Sequence, residues 1–258
     1  MADQTGNFIW YELLTTDAAC AKAFYDDVVG WNIEPQPSGP MDYRMISAPD
    51  GLVGGLMPLT AEMQAGGAKP VWLTYLNVAD VDAAVAAIGT DGGQVMLPAF
   101  DIPGTGRAAM VTDPQGASFY IMTPIPPEGG GESSSFSPTM AGRCAWNELA
   151  TSDQQGAIDF YTRHFGWRTS GSMPMGEMGD YVFLSHGDVP IGAVMQRQPD
   201  GPPTSWIFYF RVGDVAAAAE RVTRGGGTVH HGPAEVPGDE LVIVASDPMG
   251  AMFGLVGK

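Results

Sequence analysis

Basic residues are scarce in this chain. Its 258 residues hold 12 Lys and Arg against 29 Asp and Glu, a formal net charge of −17. Nucleic acids and anionic membrane surfaces are both held by Lys and Arg, so repulsion argues against either as a partner. Cysteine is nearly absent as well. Cys20 and Cys144 stand alone, without a CxxC pair, which removes both a disulfide framework and a thiolate metal site and fits a reduced, cytoplasmic protein. Residues 1–8 lack the basic start and apolar run of a secretory signal, and no stretch approaches eighteen uninterrupted apolar residues, so no membrane span is expected. No phosphate loop, dinucleotide fingerprint or serine elbow occurs.

What is present is an internal repeat. Trp10-Tyr11-Glu12-Leu13-Leu14-Thr15-Thr16-Asp17 recurs as Trp146-Asn147-Glu148-Leu149-Ala150-Thr151-Ser152-Asp153, 136 positions later. Phe24-Tyr25 and Gly30-Trp31 recur at the same interval as Phe160-Tyr161 and Gly166-Trp167. Further on the interval is 134: Trp72 matches Trp206, and Asp113-Pro114-Gln115-Gly116-Ala117 matches Asp247-Pro248-Met249-Gly250-Ala251. Two halves are therefore expected at 6–124 and 141–257, joined by a Pro-, Gly- and Ser-rich linker over 125–140 that has no periodic apolar face.

Each half reads twice as strand, helix and three strands. In the first quarter, residues 8–15 form a strand, Asp17 caps a helix over 18–29, and Gly30 stops it. Short strands are expected at 31–35, 43–48 and 54–58, punctuated by Gly, Pro and Asp. The second quarter repeats the order with a strand at 71–78, a helix at 81–88 and strands at 94–98, 107–112 and 118–122.

Four βαβββ modules with W-x-E-L-x-T-x-D openings, F-Y and G-W at the helix, and a late D-P-x-G-A turn resemble the vicinal-oxygen-chelate (glyoxalase, bleomycin-resistance and dioxygenase) superfamily. The likeness covers nearly the whole chain and is nearest to bacterial, actinobacterial-type two-half proteins labelled glyoxalase-like. It implies an α+β fold: the four modules form two half-open β-barrels with helices outside. It also implies where metal ligands would stand. Those positions fall on Trp10 and Trp146, near Leu73 and Ile207, at Tyr120 and Gly254, and in Gly54–Met57 and Gly192–Met195. None is a good ligand, and metal chemistry needs three N or O donors with an open position, so neither a metal nor another cofactor is expected.

Residues i and i+2 of a strand share a face, so Glu12 goes with Trp10 and Glu148 with Trp146. A carboxylate against aromatic walls can serve as general base or substrate anchor, and Glu12 and Glu148 are the catalytic candidates; the same residue can equally be a satisfied structural carboxylate. Trp10, Tyr75, Tyr120, Trp146, Tyr209 and one of His230 and His231 are the expected ligand-lining residues. The remaining tryptophans, Trp31, Trp72, Trp167 and Trp206, read as core. Of the 15 methionines, Met41, Met45, Met57, Met173, Met175, Met178 and Met195 suit a pliable wall for a flat apolar ligand. The expected function is metal-independent binding of a small molecule in the barrels. The alternative is a lyase, isomerase or hydrolase using Glu12 or Glu148 as base; a metal-dependent glyoxalase or dioxygenase ranks behind both. Oligomeric state is left open.

Overall fold

The computed structural model describes residues 4–37, 39, 41–126, 131 and 133–258. The first module holds β1 (Phe8–Thr15), α1 (Ala18–Val28), β2 (Asn32–Ile33), β3 (Arg44–Ala48) and β4 (Gly51–Pro58). A short α2 (Ala61–Ala65), not foreseen from the pattern, leads into β5 (Val71–Asn77), α3 (Val81–Thr90), β6 (Gln94–Ile102), β7 (Gly106–Thr112) and β8 (Ser118–Pro124). The second half repeats this as β9 (Cys144–Thr151), α4 (Gln154–Phe165), β10 (Arg168–Pro174), β11 (Asp180–His186) and β12 (Val189–Gln196). It ends with β13 (Ser205–Arg211), α5 (Val215–Arg224), β14 (Thr228–Val236), β15 (Glu240–Ser246) and β16 (Met252–Gly257). β2 is shorter than expected because Pro35 and Pro37 lack the N–H a ladder needs.

The fold is α+β, with two curled eight-stranded sheets ordered β2-β3-β4-β1-β5-β8-β7-β6 and β10-β11-β12-β9-β13-β16-β15-β14. In the first and third modules the opening strand pairs in parallel with the last, β1 with β4 and β9 with β12. Each module's helix begins at an aspartate whose carboxylate accepts an early backbone N–H: Asp17, Asp80, Asp153 and Asp214. Such a cap stabilises a helix by about 1 kcal/mol. The expected linker includes residues 127–130 and 132, which lie outside the described residues. Among the rest of that segment, Phe136 bridges to Cys144. No helix among the described residues is long and apolar enough to cross a membrane.

By contacts the chain divides into two compact units, and each takes one module from either half. One comprises residues 1–9, 74–133 and 147–206; the other comprises 10–73, 134–146 and 207–258. The repeated motifs explain this exchange. In the second unit the Trp72 indole donates to the Tyr25 hydroxyl at 2.9 Å, and that hydroxyl donates to Asp247 at 3.2 Å. Asp247 in turn accepts the N–H groups of Met249 and Ala251, closing its own turn. In the first unit the Trp206 indole donates to Tyr161 at 3.1 Å, Tyr161 donates to Asp113 at 3.2 Å, and Asp113 accepts from Gln115 and Ala117. The F-Y helix of one half thus docks on the D-P-x-G-A turn of the other. The G-W tryptophans follow the same rule: Trp31 donates to Gly142 O at 2.8 Å and Trp167 to Gly6 O at 2.9 Å.

Both networks are buried. Burial holds the Asp113 and Asp247 carboxyls above the usual carboxylate range, although the hydrogen bonds each accepts pull the other way. Burial also drives the Tyr25 and Tyr161 hydroxyls well above the ordinary phenol value, so both stay protonated donors. Aromatic packing surrounds them. Tyr161 stacks on Trp167 with ring centroids 5.0 Å apart, and Tyr25 meets Trp72 edge-on at 5.4 Å. Trp31, Trp72, Trp167 and Trp206 are all buried, as the sequence predicts.

Candidate functional site

β1 carries Trp10 half-buried and Glu12 buried, with only 3% of Glu12 exposed. Glu12 sits opposite Gly55 in the β1–β4 ladder. Just ahead of β3, Tyr43 folds back over that glycine: a methyl placed on Gly55 would lie 2.0 Å from the Tyr43 hydroxyl oxygen and 2.2 Å from its ring. The Trp10 indole N–H donates to the same hydroxyl at 2.8 Å. Trp10, Tyr43 and Glu12 therefore make one aromatic-and-carboxylate face, with the phenol ring lying against bare backbone.

The second half uses the same residue types. Glu148 is half-buried on β9 and pairs with Ala193 of β12. Tyr181, at the start of β11, donates its hydroxyl to Glu148 Oε2 at 2.8 Å, and its ring meets Phe183 edge-on at 5.7 Å. The ladders make Tyr43 and Tyr181 equivalent: Met45 pairs with Gly55 and Phe183 with Ala193, and each tyrosine lies two residues earlier. Neither was singled out from the sequence. Their separation is 138 rather than 136, because the segments before them differ in length, and extending the repeat across that indel is the signal that finds them.

The other expected residues fall into separate groups. Tyr75 and Tyr120 are ladder partners on β5 and β8, both buried, and stack nearly parallel with centroids 4.3 Å apart. Their counterparts are Tyr209 and Gly254, also ladder partners, where the Tyr209 ring covers the glycine so closely that a methyl there would meet it at 2.3 Å. Trp146 packs against the buried cluster of Ala145, Tyr209 and Val256. His230 and His231 are both exposed on β14; His230 lies at a ladder irregularity and contacts Ser246 Oγ through Nε2 at 2.9 Å. Of the remaining histidines, His164 contacts Asp91 at 3.0 Å and His186 contacts Asn7 at 2.8 Å.

The side chains do not fit a metal of the kind such folds carry. The matched positions present indole, aliphatic and phenol groups or glycine, and among the described residues no group of three or more His, Cys, Asp or Glu comes together to hold an ion. Both cysteines are poor ligands too. Cys144 is buried, which pushes its thiol up to about 12, and burial and the neighbouring Asp17 raise Cys20.

Residues 7–121 and 142–255 each match the family described as the Glyoxalase/Bleomycin resistance protein/Dioxygenase superfamily. Among curated relatives, the putative glyoxylase CFP32 of Mycobacterium tuberculosis is 35% identical, over 96% of this chain and 93% of its own length. The anthracycline biosynthesis protein DnrV of Streptomyces peucetius is 27% identical, over 96% and 91%. The fold is shared with the 2,3-dioxygenase LapB of Pseudomonas sp. KL28, at a TM-score of 0.66 and 14% identity covering 99% of this chain and 93% of that one. It is shared also with the Mn(II)-bound glyoxalase of Novosphingobium aromaticivorans, at a TM-score of 0.65 and 18% identity covering 99% and 83%. Both halves matching, and a relative of this similarity spanning almost the full length, make the chain a member of the Glyoxalase/Bleomycin resistance protein/Dioxygenase superfamily.

Proposed function

We propose that this chain is a cytoplasmic small-molecule-binding protein that works without the superfamily's metal, taking its ligand on faces built around Trp10 and Glu12 and around Glu148. One observation carries the reading: where metal ligands would begin, each half instead carries a Trp-x-Glu strand with a tyrosine hydroxyl hydrogen-bonded to one of its side chains. Indole and phenol faces suit flat aromatic ligands, and a carboxylate orients a ligand hydroxyl. The anthracycline-biosynthesis role named for one relative points to the same ligand chemistry, a polycyclic aromatic bearing hydroxyls. Nucleic acid and membrane stay outside the proposal because of the charge of −17.

A second reading is favoured by the Tyr181–Glu148 hydrogen bond. Glu148 would take a proton from a hydroxyl-bearing carbon next to a ligand carbonyl and return it to the carbonyl carbon, while the hydroxyl proton passes to the former carbonyl oxygen, an isomerisation that balances without an oxidant, with Tyr181 holding the carboxylate in place. The test of the main reading is titration of the purified protein with the hydroxyanthraquinone quinizarin, followed by indole fluorescence, together with elemental analysis after dialysis. Saturable quenching without stoichiometric metal is expected. About one zinc, iron, nickel or manganese per half, with chelator-sensitive binding, would overturn it.

A further inference from the structure

Helices α3 and α4 lie side by side in the unit made of residues 1–9, 74–133 and 147–206, and between them is a cavity of about 320 Å³. Val78, Ala84, Ala87, Ile88 and Phe165 give it apolar walls. Its charged groups stand at opposite ends of α3, whose ten residues span roughly 15 Å. Asp80, at the start, is committed to its own helix, because its carboxylate accepts the Ala83 N–H at 3.0 Å. Arg163 and His164, from the last turn of α4, come in at the other end, where α3 finishes at Asp91. Asp91 accepts from Arg163 Nη1 on one oxygen and lies 3.0 Å from His164 Nε2 on the other.

The repeat shows why the space is there. The counterpart pair in the other unit is α5 with α1, and 134 positions after Ala87 stands Arg221. Arg221 spans those two helices and donates to Val28 O at 3.3 Å, so a long side chain of the protein itself takes up the room that the alanine methyl leaves open. The neighbouring ion pair is reversed in polarity as well. Arg224 of α5 pairs there with Asp27 of α1 at 2.9 Å, whereas Arg163, 136 positions after Asp27, puts the cation on the other helix. That guanidinium has donors to spare. Asp91 engages Nη1 and fixes the plane of the group; among the described residues Nε and Nη2, the edge that clasps a carboxylate side-on, have no partner.

We propose that the α3–α4 cavity is a further binding site, for a small flat monocarboxylate whose apolar body lies on Ala84 and Ala87 and whose carboxylate is clasped by Arg163. The volume is at the small end of ligand pockets and suits a naphthalene-sized body better than a larger polycyclic one. Asp80 at the far end repels a second acid group, which sets the limit at one. The net charge of −17 opposes the approach of any anion, so carboxylate binding turns on Arg163. The site shares no residue with the Trp-x-Glu faces and does not depend on their binding anything.

The experiment titrates the full chain with 2-naphthoate and with its neutral analogue 2-naphthamide, reading the Ala83 and Ala84 methyl resonances alongside thermal melting. In the parent, 2-naphthoate is expected to shift both methyls saturably. Ala87→Arg installs the other unit's residue and Ala87→Leu fills the space without charge; both should abolish the shifts and leave melting unchanged, since both residues suit an exposed helix position. Arg163→Gln should weaken 2-naphthoate about tenfold and leave 2-naphthamide where it was. Arg163 is exposed, so this variant keeps the proposal open to defeat should an Ala87 variant fail to fold. Unmoved methyls in the parent, shifts that survive both Ala87 variants, or equal weakening of the two probes by Arg163→Gln would each overturn the proposal.

Discussion

The seams where helices dock and the faces that carry Trp-x-Glu are built from the same repeat, yet they have diverged to different degrees. At the seams the two units are wired alike: indole to phenol to carboxylate to turn, with corresponding bonds within a few tenths of an ångström. On the faces some counterparts differ in residue type: Gly55 corresponds to Ala193 and Tyr120 to Gly254. Tyr75 stacks on a tyrosine where Tyr209 covers a glycine. The seams are buried, so a change in one member strands a buried polar partner at a cost of about 1–3 kcal/mol.

The largest expected effect tests whether the seams are equivalent. Trp72→Ala and Trp206→Ala each remove a buried indole and orphan a tyrosine, and each should cost about 3–5 kcal/mol in urea denaturation. A difference between them greater than about 2 kcal/mol, judged against the usual scatter of such mutations, would show that the seams are alike in geometry but not in energy. Next come the carboxylates of the faces. Glu12→Gln acts on a buried group and should lower stability by about 1–3 kcal/mol, whereas Glu148→Gln, half-buried, should cost less than about 1 kcal/mol and weaken quinizarin binding instead. Thermal melts paired with titrations of both variants separate these outcomes; identical behaviour would erase the contrast between the faces.

The smallest effect concerns pH. Asp113 and Asp247 have folded-state pKa values raised by burial, so the folded chain holds their protons more tightly than the unfolded chain does. Their unfavourable contribution is absent below the ordinary carboxylate pKa, near 3.9, and sets in as pH rises through the raised folded values. Asp113→Asn or Asp247→Asn retains an acceptor for the turn and should flatten the pH dependence of the denaturation midpoint in that window, by similar amounts in the two units. A variant whose midpoint follows pH as the parent does would remove that carboxyl from the account.

Much of this architecture was legible in the sequence because the repeat is carried by short, contiguous motifs. W-x-E, F-Y, G-W and D-P-x-G-A each mark a strand, a helix or a turn by local chemistry alone. Their partnership was not legible: Tyr25 and Asp247 are 222 positions apart, and spacing says nothing about which half a motif docks on. Glu12 and Glu148 were found through strand alternation, whereas Tyr43 and Tyr181 were not, since an indel hides their equivalence. The close approach of the Tyr43 ring to Gly55 is invisible in the sequence. The exposed His230 and His231 stand at a β14 ladder irregularity, where simple alternation of faces no longer applies.

The exchange of modules between units also sets a timetable for synthesis. Residues 10–73 are made well before the strands that complete their unit, which lie within 207–258. At roughly 5–20 residues per second, the interval is on the order of ten seconds. Throughout it, Phe24 and Tyr25 on α1 lack Phe253 and Asp247, against which they pack in the finished protein. The nascent chain therefore carries an aromatic helix without these partners until residues 207–258 have been made, so completion of that segment, rather than emergence of the first half, lets the unit close.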